Sequence, residues 1–391
     1  MVIMNNNESM GKRITHWHRA TLSVFAVVAA TSGLNWHGGS APGGLTVSLT
    51  TPLAAARPAE SVAPPQAFQS EIAALGEAFD GRVGIAVRSV SDGWTAGYRA
   101  ALPAPQQSVS KLWVAIALLD AVDHGRVSLD ERVNVGLGDL TVFHQPIRGR
   151  IGPNGYSATL RELMELALTQ SDNTANDMLL RRLGGSDAIR RMFLIKQIDE
   201  VKFGPGERLL QADIAGLVWK PEYSLGNSFQ IARSKLARSA REEALSRYVA
   251  SPLDAASPEG IVRALANLKQ GELLSPESTA LLLDTMASSR TGKFRLRAGV
   301  SDGWHIAHKT GTGQELGVRA TGFNDVGLIT SPDGKSYAVA VMIADTTETI
   351  HKRQQLIAEV ARRVIAFDKA SRGDSIAPSE IVQRDGARSR T

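Results

Sequence analysis

A serine and a lysine three residues apart, Ser108 and Lys111, stand at the start of an apolar segment with helical periodicity. Side chains at this spacing share one face of a helix, so the amine can lie beside the hydroxyl. A serine hydroxyl needs an adjacent base to attack a carbonyl, and a lysine supplies one when burial or a nearby cation favours its neutral amine. N–H groups at a helix start also favour developing negative charge. The pair predicts nucleophilic acyl transfer; the alternative is a surface lysine beside an N-cap serine.

A second polar motif, Ser171-Asp172-Asn173, lies between two predicted helices. A serine hydroxyl both donates and accepts, so Ser171 can pass a proton to a leaving amine. Asn173 can hold a substrate or Lys111 through its amide, and Asp172 can bond the loop backbone. The alternative is a helix-capping cluster, because Ser, Asp and Asn are preferred at helix starts.

A third motif, Lys309-Thr310-Gly311, ends a predicted strand and is followed by Thr312. Lys309 can attract a substrate carboxylate. Gly311 would allow a substrate to approach the strand edge closely and to pair with its backbone. The alternative is an ordinary strand-ending turn.

In this order, the three motifs resemble the signature of class A β-lactamases and penicillin-binding proteins. The resemblance covers about residues 68–368 and is closest to class A. The segment Glu207-Arg208-Leu209-Leu210-Gln211 is similar to the class A motif of Glu, two residues, Leu and Asn. In that family the glutamate activates the water that hydrolyses the acyl-enzyme, and the asparagine helps to hold it. Gln211 keeps the amide on a side chain one methylene longer; an exposed loop glutamate is the alternative for Glu207.

The resemblance implies a serine hydrolase that opens β-lactam rings through an acyl-enzyme on Ser108. Lys111, or Glu207 through water, would be the base, and Ser171 would return the proton to the leaving nitrogen. No cofactor and no metal ion is expected. The backbone N–H groups of Ser108 and Thr312 would form the oxyanion hole, and the implied substrate-binding residues are Asn173, Gln211, Lys309, Thr310, Gly311 and Thr312.

Two other functions remain open. A penicillin-binding D-alanyl-D-alanine carboxypeptidase or transpeptidase would act on a peptidoglycan stem peptide and would hydrolyse a penicillin adduct slowly. It would share Ser108, Lys111, Ser171 and Lys309, so Glu207 discriminates between the two enzymes. A non-catalytic module that senses peptidoglycan or β-lactams on the same fold is the third possibility.

Two features depart from the class A pattern. His308 precedes Lys309 where an acidic residue is common, and the segment 212–254 is longer than in the family. Part of this segment, near 228–249, is predicted as one basic helix, either a solvated helix or a lid or partner surface.

Arg319 and Arg353 are each candidates for a second cation that binds the substrate carboxylate. Phe143 and Tyr156 are candidates for an aromatic wall of the cleft, with core packing as the favoured alternative for both.

The elements that must position these residues combine strands and helices. Alternating or β-prone segments near 83–87, 94–98, 304–310, 322–330 and 337–344 predict strands at both ends of the chain. Helical patterns fill the middle, including 108–122 and 174–183. One sheet must therefore take strands from both ends, which makes a single α+β unit. The resemblance implies an antiparallel five-stranded sheet flanked by helices, with a helical subdomain and the active site between them.

The N-terminal region has the pattern of an export signal. Lys12, Arg13 and Arg19 precede an apolar stretch, 20–34, that is short for a membrane span. We therefore expect a signal peptide, or an uncleaved anchor, over 1–56, a linker over 57–67, the catalytic domain over 68–368 and a polar tail over 369–391. The mature protein is expected in the bacterial periplasm as a monomer without a membrane span.

Composition excludes several other classes. The 391 residues carry a formal net charge of +5, which is too mild to argue for a nucleic-acid partner. The absence of cysteine excludes disulfides, cysteine zinc sites and thiol nucleophiles. The chain has no G-x-S-x-G elbow and no H-E-x-x-H metal motif. A small-molecule β-lactam or a stem peptide remains the expected partner.

Overall fold

The computed structural model describes residues 62–373. The predicted export segment (1–56), residues 57–61 of the predicted linker and most of the predicted polar tail lie outside these residues. Within 62–373 the chain forms the helices α1 Gln66–Glu77, α2 Lys111–Asp123, α3 Leu160–Thr169, α4 Asn173–Arg182, α5 Ser186–Ile195, α6 Glu207–Ile214, α7 Ser228–Lys235, α8 Arg238–Ala250, α9 Pro258–Lys269, α10 Pro276–Ala287 and α11 Ile350–Ser371. The strands are β1 Arg82–Ser89, β2 Thr95–Tyr98, β3 Ala104–Pro105, β4 Arg132–Val135, β5 Tyr156–Thr159, β6 Ala255–Ala256, β7 His305–Thr312, β8 Glu315–Leu316, β9 Arg319–Thr330 and β10 Ser336–Thr346.

The main sheet is antiparallel and draws its strands from both ends of the described chain. Its five strands follow the order β2-β1-β10-β9-β7, and the two-residue strand β8 pairs with β9 as a sixth. The α+β class with five principal strands is therefore confirmed. β7, which carries the third motif, is an edge strand, so the backbone groups of its outer edge are available to a ligand.

The central strand β10 is buried on both faces. Its alternate residues Val339, Val341 and Ile343 pack in a cluster with α1 and α11, while Ala338 and Ala340 face the other core cluster. Successive side chains of a strand point to opposite faces, so β-branched residues fill one layer and small residues admit α9 on the other.

Helix α2 is the centre of the helical layer. All but three of its thirteen residues are buried, and α3, α4, α5 and α10 pack around it. A helix that is apolar on all sides is stable only when it is enclosed. This packing fixes the start of α2 against β7. Among the helices within 62–373, none is long and apolar enough to cross a membrane.

The part of the segment 212–254 that is predicted as one basic helix, near 228–249, differs from that prediction. It forms two helices, α7 and α8, because Leu236 adopts an extended conformation (φ −72°, ψ 142°) between them. The half-buried Leu236 side chain lies against Gly216, and a continuous helix would direct it elsewhere.

Candidate active site

The three sequence motifs meet at one cavity of about 620 Å³ between the start of α2 and the edge strand β7. The cavity is lined by Ser108 from the first motif, Ser171 and Asn173 from the second, and Thr310 and Thr312 from the third. Tertiary folding thus brings together residues, such as Ser108 and Thr312, that lie 204 positions apart in the sequence.

Ser108 lies on a 3-10 turn, Gln107–Ser110, that leads directly into α2. The predicted helix start is correct to within three residues. Lys111, the first residue of α2, is fully buried, and its Nζ lies 2.6 Å from Ser108 Oγ and 2.7 Å from Asn173 Oδ1. The serine hydroxyl therefore has a nitrogen in hydrogen-bond contact that can exchange a proton with it.

Glu207 completes a chain of contacts behind the serine. Its Oε1 lies 2.8 Å from Lys111 Nζ, and its side chain is 5% exposed. The alternative of an exposed loop glutamate is wrong, because Glu207 begins α6 and is enclosed there. The helix N-terminus also favours a carboxylate at this position.

The amide of Gln211 bonds protein groups. Its Nε2 lies 3.3 Å from Glu207 Oε2 and 3.1 Å from Gln107 Oε1, and its Oε1 accepts from Gln314 Nε2 at 3.1 Å. Gln211 thus fixes the orientation of the Glu207 carboxylate. The longer side chain is accommodated because it spans from α6 to the Ser108 turn.

A second carboxylate, Asp177, stands next to Glu207. Asp177 Oδ1 accepts the backbone N–H of Glu207 at 3.0 Å. Burial and then the charge of Glu207 raise the pKa of Asp177 to about 6. Sequence analysis missed this residue, because nothing in its helical segment distinguishes it from a solvated aspartate.

The second motif is held rigidly above the cavity. Asp172 caps α4 by accepting from Ala175 N at 2.9 Å, and its other oxygen accepts from Ile147 N at 2.6 Å. Burial raises the pKa of Asp172. Ser171 has a left-handed backbone (φ 59°), which costs about 1–3 kcal/mol and persists only where the surroundings enforce it. This conformation lets the Ser171 hydroxyl line the cavity.

Lys309 reaches from β7 to the second motif. Its Nζ donates to Ser171 Oγ at 3.0 Å and to its neighbour's carbonyl, Thr310 O, at 2.9 Å. Burial, followed by the charge of Lys111, holds the pKa of Lys309 well below its usual value. Lys309 therefore lies where it can exchange a proton with the Ser171 hydroxyl.

The space beside Gly311 is filled by protein. A Cβ at Gly311 would lie 2.3 Å from Gln106 O and 3.3 Å from Val109 Cγ2. Sequence analysis assigned this glycine to the approach of a substrate; the structure shows that it admits the backbone of the Ser108 turn. The close approach sets the spacing between the serine and β7.

The second cation of the cleft is Arg295. Its Nη2 donates to Thr312 Oγ1 at 2.6 Å, its Nη1 donates to Gly311 O at 2.9 Å, and it lines the cavity. Burial lowers its pKa to about 10, so it stays charged at neutral pH. The prediction of Arg319 or Arg353 is wrong: these side chains bond Asp345 and Glu315 and do not line the cavity. Arg295 lies in an irregular loop, where no pattern distinguishes it from other arginines.

A buried histidine–aspartate pair supports β7 from behind. His308 Nδ1 lies 2.8 Å from Asp325 Oδ1, and both side chains are fully buried. Asp325 Oδ2 also accepts from Leu296 N at 3.1 Å, next to Arg295. The unusual His308 therefore has a structural partner on β9, and the pair anchors the loop that carries Arg295.

Of the two aromatic candidates, Phe143 lines the cavity. It is 43% exposed and packs edge-to-face with Phe229, with ring centroids 5.1 Å apart. The favoured alternative of core packing is wrong for Phe143. Tyr156 lies away from the cavity and bonds Glu162.

A further buried network holds the turn that precedes Ser108. Gln107 has a left-handed backbone (φ 54°), and its N–H donates to Asp254 Oδ2 at 2.7 Å. Tyr248 accepts from Gln107 Nε2 at 2.6 Å and donates to Asp254 Oδ1 at 2.9 Å. Burial raises the pKa of Asp254 to about 6. Sequence analysis missed Tyr248 and Asp254, which lie far along the chain in the extended 212–254 segment.

Within residues 62–373, no group of three His, Asp or Glu side chains is arranged to hold a metal ion. The polar groups that line the cavity are mainly hydroxyls, amides and two arginines, together with the side chains of His144 and Glu315. They are suited to hold an organic anion and to move protons.

Comparison with known proteins agrees with this geometry. The profile of the family described as "Beta-lactamase enzyme family" matches residues 67–367. The chain belongs to this β-lactamase family. VEB-1, a β-lactamase of Pseudomonas aeruginosa, is 24% identical over 289 residues, which cover 73% of this chain and 85% of VEB-1.

Solved β-lactamase structures match over most of the chain. A β-lactamase from Chitinophaga pinensis is 27% identical with a TM-score of 0.63, over 77% of this chain and 99% of that one. An ancestral class A β-lactamase is 30% identical with a TM-score of 0.60, again over 77% and 99% of the two chains. The predicted class A relationship is confirmed.

Proposed function

We propose that this β-lactamase-family chain hydrolyses β-lactams through a serine ester on Ser108. The observation that carries the proposal is the continuous contact chain from Ser108 Oγ through Lys111 Nζ to Glu207 Oε1. A nucleophile in contact with a buried amine and carboxylate can lose its proton during attack. The chemistry needs no metal ion or cofactor.

In acylation, Ser108 Oγ forms a bond to the lactam carbonyl carbon. Its proton passes to Lys111 when Glu207 holds the proton that the two side chains share, or to the ionised Glu207 through water. The backbone N–H groups of Ser108 and Thr312 hold the oxyanion. The C–N bond of the lactam then breaks, and Ser171 gives its proton to the ring nitrogen. Lys309, 3.0 Å from Ser171 Oγ, replenishes that proton and regains its own from solvent before the next turnover.

In deacylation, Glu207 removes a proton from a water that attacks the ester carbonyl. The ester bond to Ser108 breaks, and the serine oxygen regains a proton through Lys111. Gln211 holds the Glu207 carboxylate in place for this step. A glutamate within reach of the ester distinguishes a hydrolase that turns over from a peptidase that stays acylated.

The carboxylate of the β-lactam binds at the end of β7. Thr310, Thr312 and Arg295 line this position with two hydroxyls and one cation, and the buried Lys309 lies behind Thr310, bonded to its carbonyl. Arginine presents planar paired donors that match a carboxylate.

Mass spectrometry combined with a chromogenic cephalosporin tests the proposal. Wild-type protein should turn the substrate over, and Ser108→Ala should lose both turnover and the acyl adduct. Unchanged turnover in Ser108→Ala would refute the nucleophile. A wild-type penicilloyl adduct that persists for hours would favour the D-alanyl-D-alanine peptidase instead, and binding without acylation would favour a sensing module.

We further propose that the protein is exported and acts in the periplasm as a monomer, with the catalytic domain over 68–368. The basic residues before the apolar stretch 20–34 support export. N-terminal sequencing of the periplasmic protein from a Gram-negative host should give a mature start near Arg57. Retention of residues 1–56 in a membrane fraction would show an anchor instead.

A further inference from the structure

The extended segment 212–254 contributes one cation to the cavity, Arg233 of α7. Phe229, one helical turn earlier, is buried and packs on Phe143 at the cavity wall. Residues four apart share a face of a helix, so the anchor at Phe229 directs Arg233 toward the same side. The Arg233 side chain lies beside Gln314 and Glu315, just past the end of β7.

No carboxylate among the described residues forms an ion pair with Arg233. Within the described chain its one hydrogen bond is from Nη2 to the backbone oxygen of Glu315, at 2.7 Å, and its buried Nε has no partner. The pKa of Arg233 is lowered, first by burial and then by the neighbouring charge of Arg241. A half-buried guanidinium with unused donors favours an anionic ligand.

The charged side chains near Arg233 do not neutralise its positive charge. Arg238 pairs with Glu242 at 2.7 Å, and the carboxylate of Glu315 pairs with Arg353 at 2.9 Å. Among the described residues that line the cavity, Glu315 is the carboxylate, and it is thus already paired with another arginine. The local charge at Arg233 and Arg241 remains positive.

The position of a bound β-lactam defines what would reach Arg233. In the proposed function, the lactam carbonyl lies between Ser108 and Thr312, and the ring carboxylate lies near Lys309 and Arg295. The acylamino substituent leaves from the opposite side of the carbonyl. It therefore extends past Thr312, toward Gly313, Gln314 and Arg233.

We propose that Arg233 is a specificity-determining residue that binds β-lactams carrying a carboxylate on the acylamino side chain. This inference rests on the proposed function and extends it to the substrate class. The anionic substituent forms a charge-assisted hydrogen bond with the unused donors of Arg233, an interaction that a neutral substituent lacks.

Benzylpenicillin and its α-carboxy derivative, carbenicillin, form the matched substrate pair. The readout is kcat/KM for carbenicillin divided by kcat/KM for benzylpenicillin, measured in wild type, Arg233→Gln and Arg233→Lys. Arg238→Gln is the control, because Arg238 lies in the same segment, is exposed and is paired with Glu242 away from the cavity. Thermal unfolding of each variant shows whether it is folded.

In Arg233→Gln we expect the ratio to fall about tenfold in favour of benzylpenicillin, mainly through KM for carbenicillin. Arg233→Lys should keep the ratio within about threefold, and Arg238→Gln should leave it unchanged. Salt should lower the wild-type ratio but not that of Arg233→Gln, since charge attraction is screened.

An unchanged ratio in folded Arg233→Gln would overturn the proposal while the β-lactamase function stands. If Arg233→Gln does not fold, an Arg233→Lys ratio with no salt dependence would overturn it equally. Wild-type protein that opens neither penicillin would refute the proposed function, and this inference with it.

Discussion

The side chain of Glu207 and that of Lys111 form a buried ion pair at the centre of the cleft, 2.8 Å apart. Each charge is tolerated at this depth because the other offsets it, and removal of one partner from a buried pair typically costs about 3–5 kcal/mol. Lys111 keeps two further contacts, with Ser108 and Asn173. The pair therefore couples stability to the proposed chemistry at the same two residues.

Glu207→Gln removes the charge while it keeps the shape. We expect the variant to be acylated by a penicillin but to release product about 10²–10⁴-fold more slowly, the range for loss of a general base. Intact-mass measurement over time should show a persistent adduct. The exposed Glu222→Gln is the matched control, and equal release by wild type and Glu207→Gln would refute a role for Glu207 in deacylation.

The sequence motifs alone identified the principal polar residues of the candidate site. Ser108, Lys111 and Glu207 form one chain of contacts, Lys309 and Ser171 form a second, and both reach the same cavity, although the catalytic roles stay predictions. A sequence motif identifies functional residues only when they lie close to one another along the chain. Arg295, Asp177 and Asp254 escaped because they reach the site only through tertiary packing, from loops and from a helix without a distinctive pattern.

At the scale of elements, the turn before Ser108 is held by the loop that follows α8. Asp254 accepts the N–H of Gln107, whose left-handed backbone would otherwise relax. Burial raises the Asp254 pKa from 3.8 to about 6, so the folded state binds this proton more tightly than the unfolded state. The stabilisation that the protonated Asp254 carboxyl group contributes is present below about pH 3.8 and is lost as the pH rises through about 6.

Asp254→Asn should abolish that pH dependence. Between pH 4 and pH 7, the free energy of unfolding of the variant minus that of wild type should rise by up to about 3 kcal/mol, the equivalent of two pKa units. Urea titrations at unit steps of pH measure it. Tyr248→Phe keeps the carboxyl group and should keep the dependence; a constant difference for Asp254→Asn would contradict the assignment.

The contact between β7 and the Ser108 turn leaves no room for a methyl group. Gly311→Ala would place Cβ 2.3 Å from Gln106 O, so the strand and turn must separate. We expect a loss of about 1–3 kcal/mol of stability and of about 10²-fold in kcat, because the serine moves relative to Thr312. Gly138→Ala, whose Cβ would meet nothing within 4 Å, is the control for both measurements. Wild-type kcat in Gly311→Ala would show that the spacing is not critical.

The strand β1 was predictable from its alternating side chains, and β10 was predictable from its apolar, β-prone composition. The two-residue β8 carries too few residues to show a period. The division between α7 and α8 depends on where Leu236 finds apolar contact, which is a property of the folded chain.

For the whole molecule, the sheet is shared by two core clusters, one on each face. The cluster that includes residues of α1 and α11 contains Ile343, and the cluster that includes residues of α2 and α9 contains Leu163. Since β10 contributes alternate residues to both, neither layer is complete without the other. The described domain should therefore unfold as one cooperative unit.

Ile343→Ala and Leu163→Ala test this cooperativity. Each should cost about 2–5 kcal/mol and shift the same single transition, followed by far-ultraviolet circular dichroism and by tryptophan fluorescence. Two resolved transitions, with each variant moving a different one, would show that the layers unfold separately. The exposed Leu194→Ala should leave the midpoint nearly unchanged.

The placement of Arg233 on α7 has a consequence for evolution. Lys111 and Glu207 are buried and paired, so an exchange of either would affect folding and the proposed chemistry together. Arg233 lies on the helix α7, which packs on the rest of the domain mainly through Phe229. Substitutions at Arg233 should therefore cost less stability than substitutions at the buried pair. Selection by a new antibiotic would therefore act first on α7, and resistance could broaden or narrow while the reaction itself is inherited unchanged.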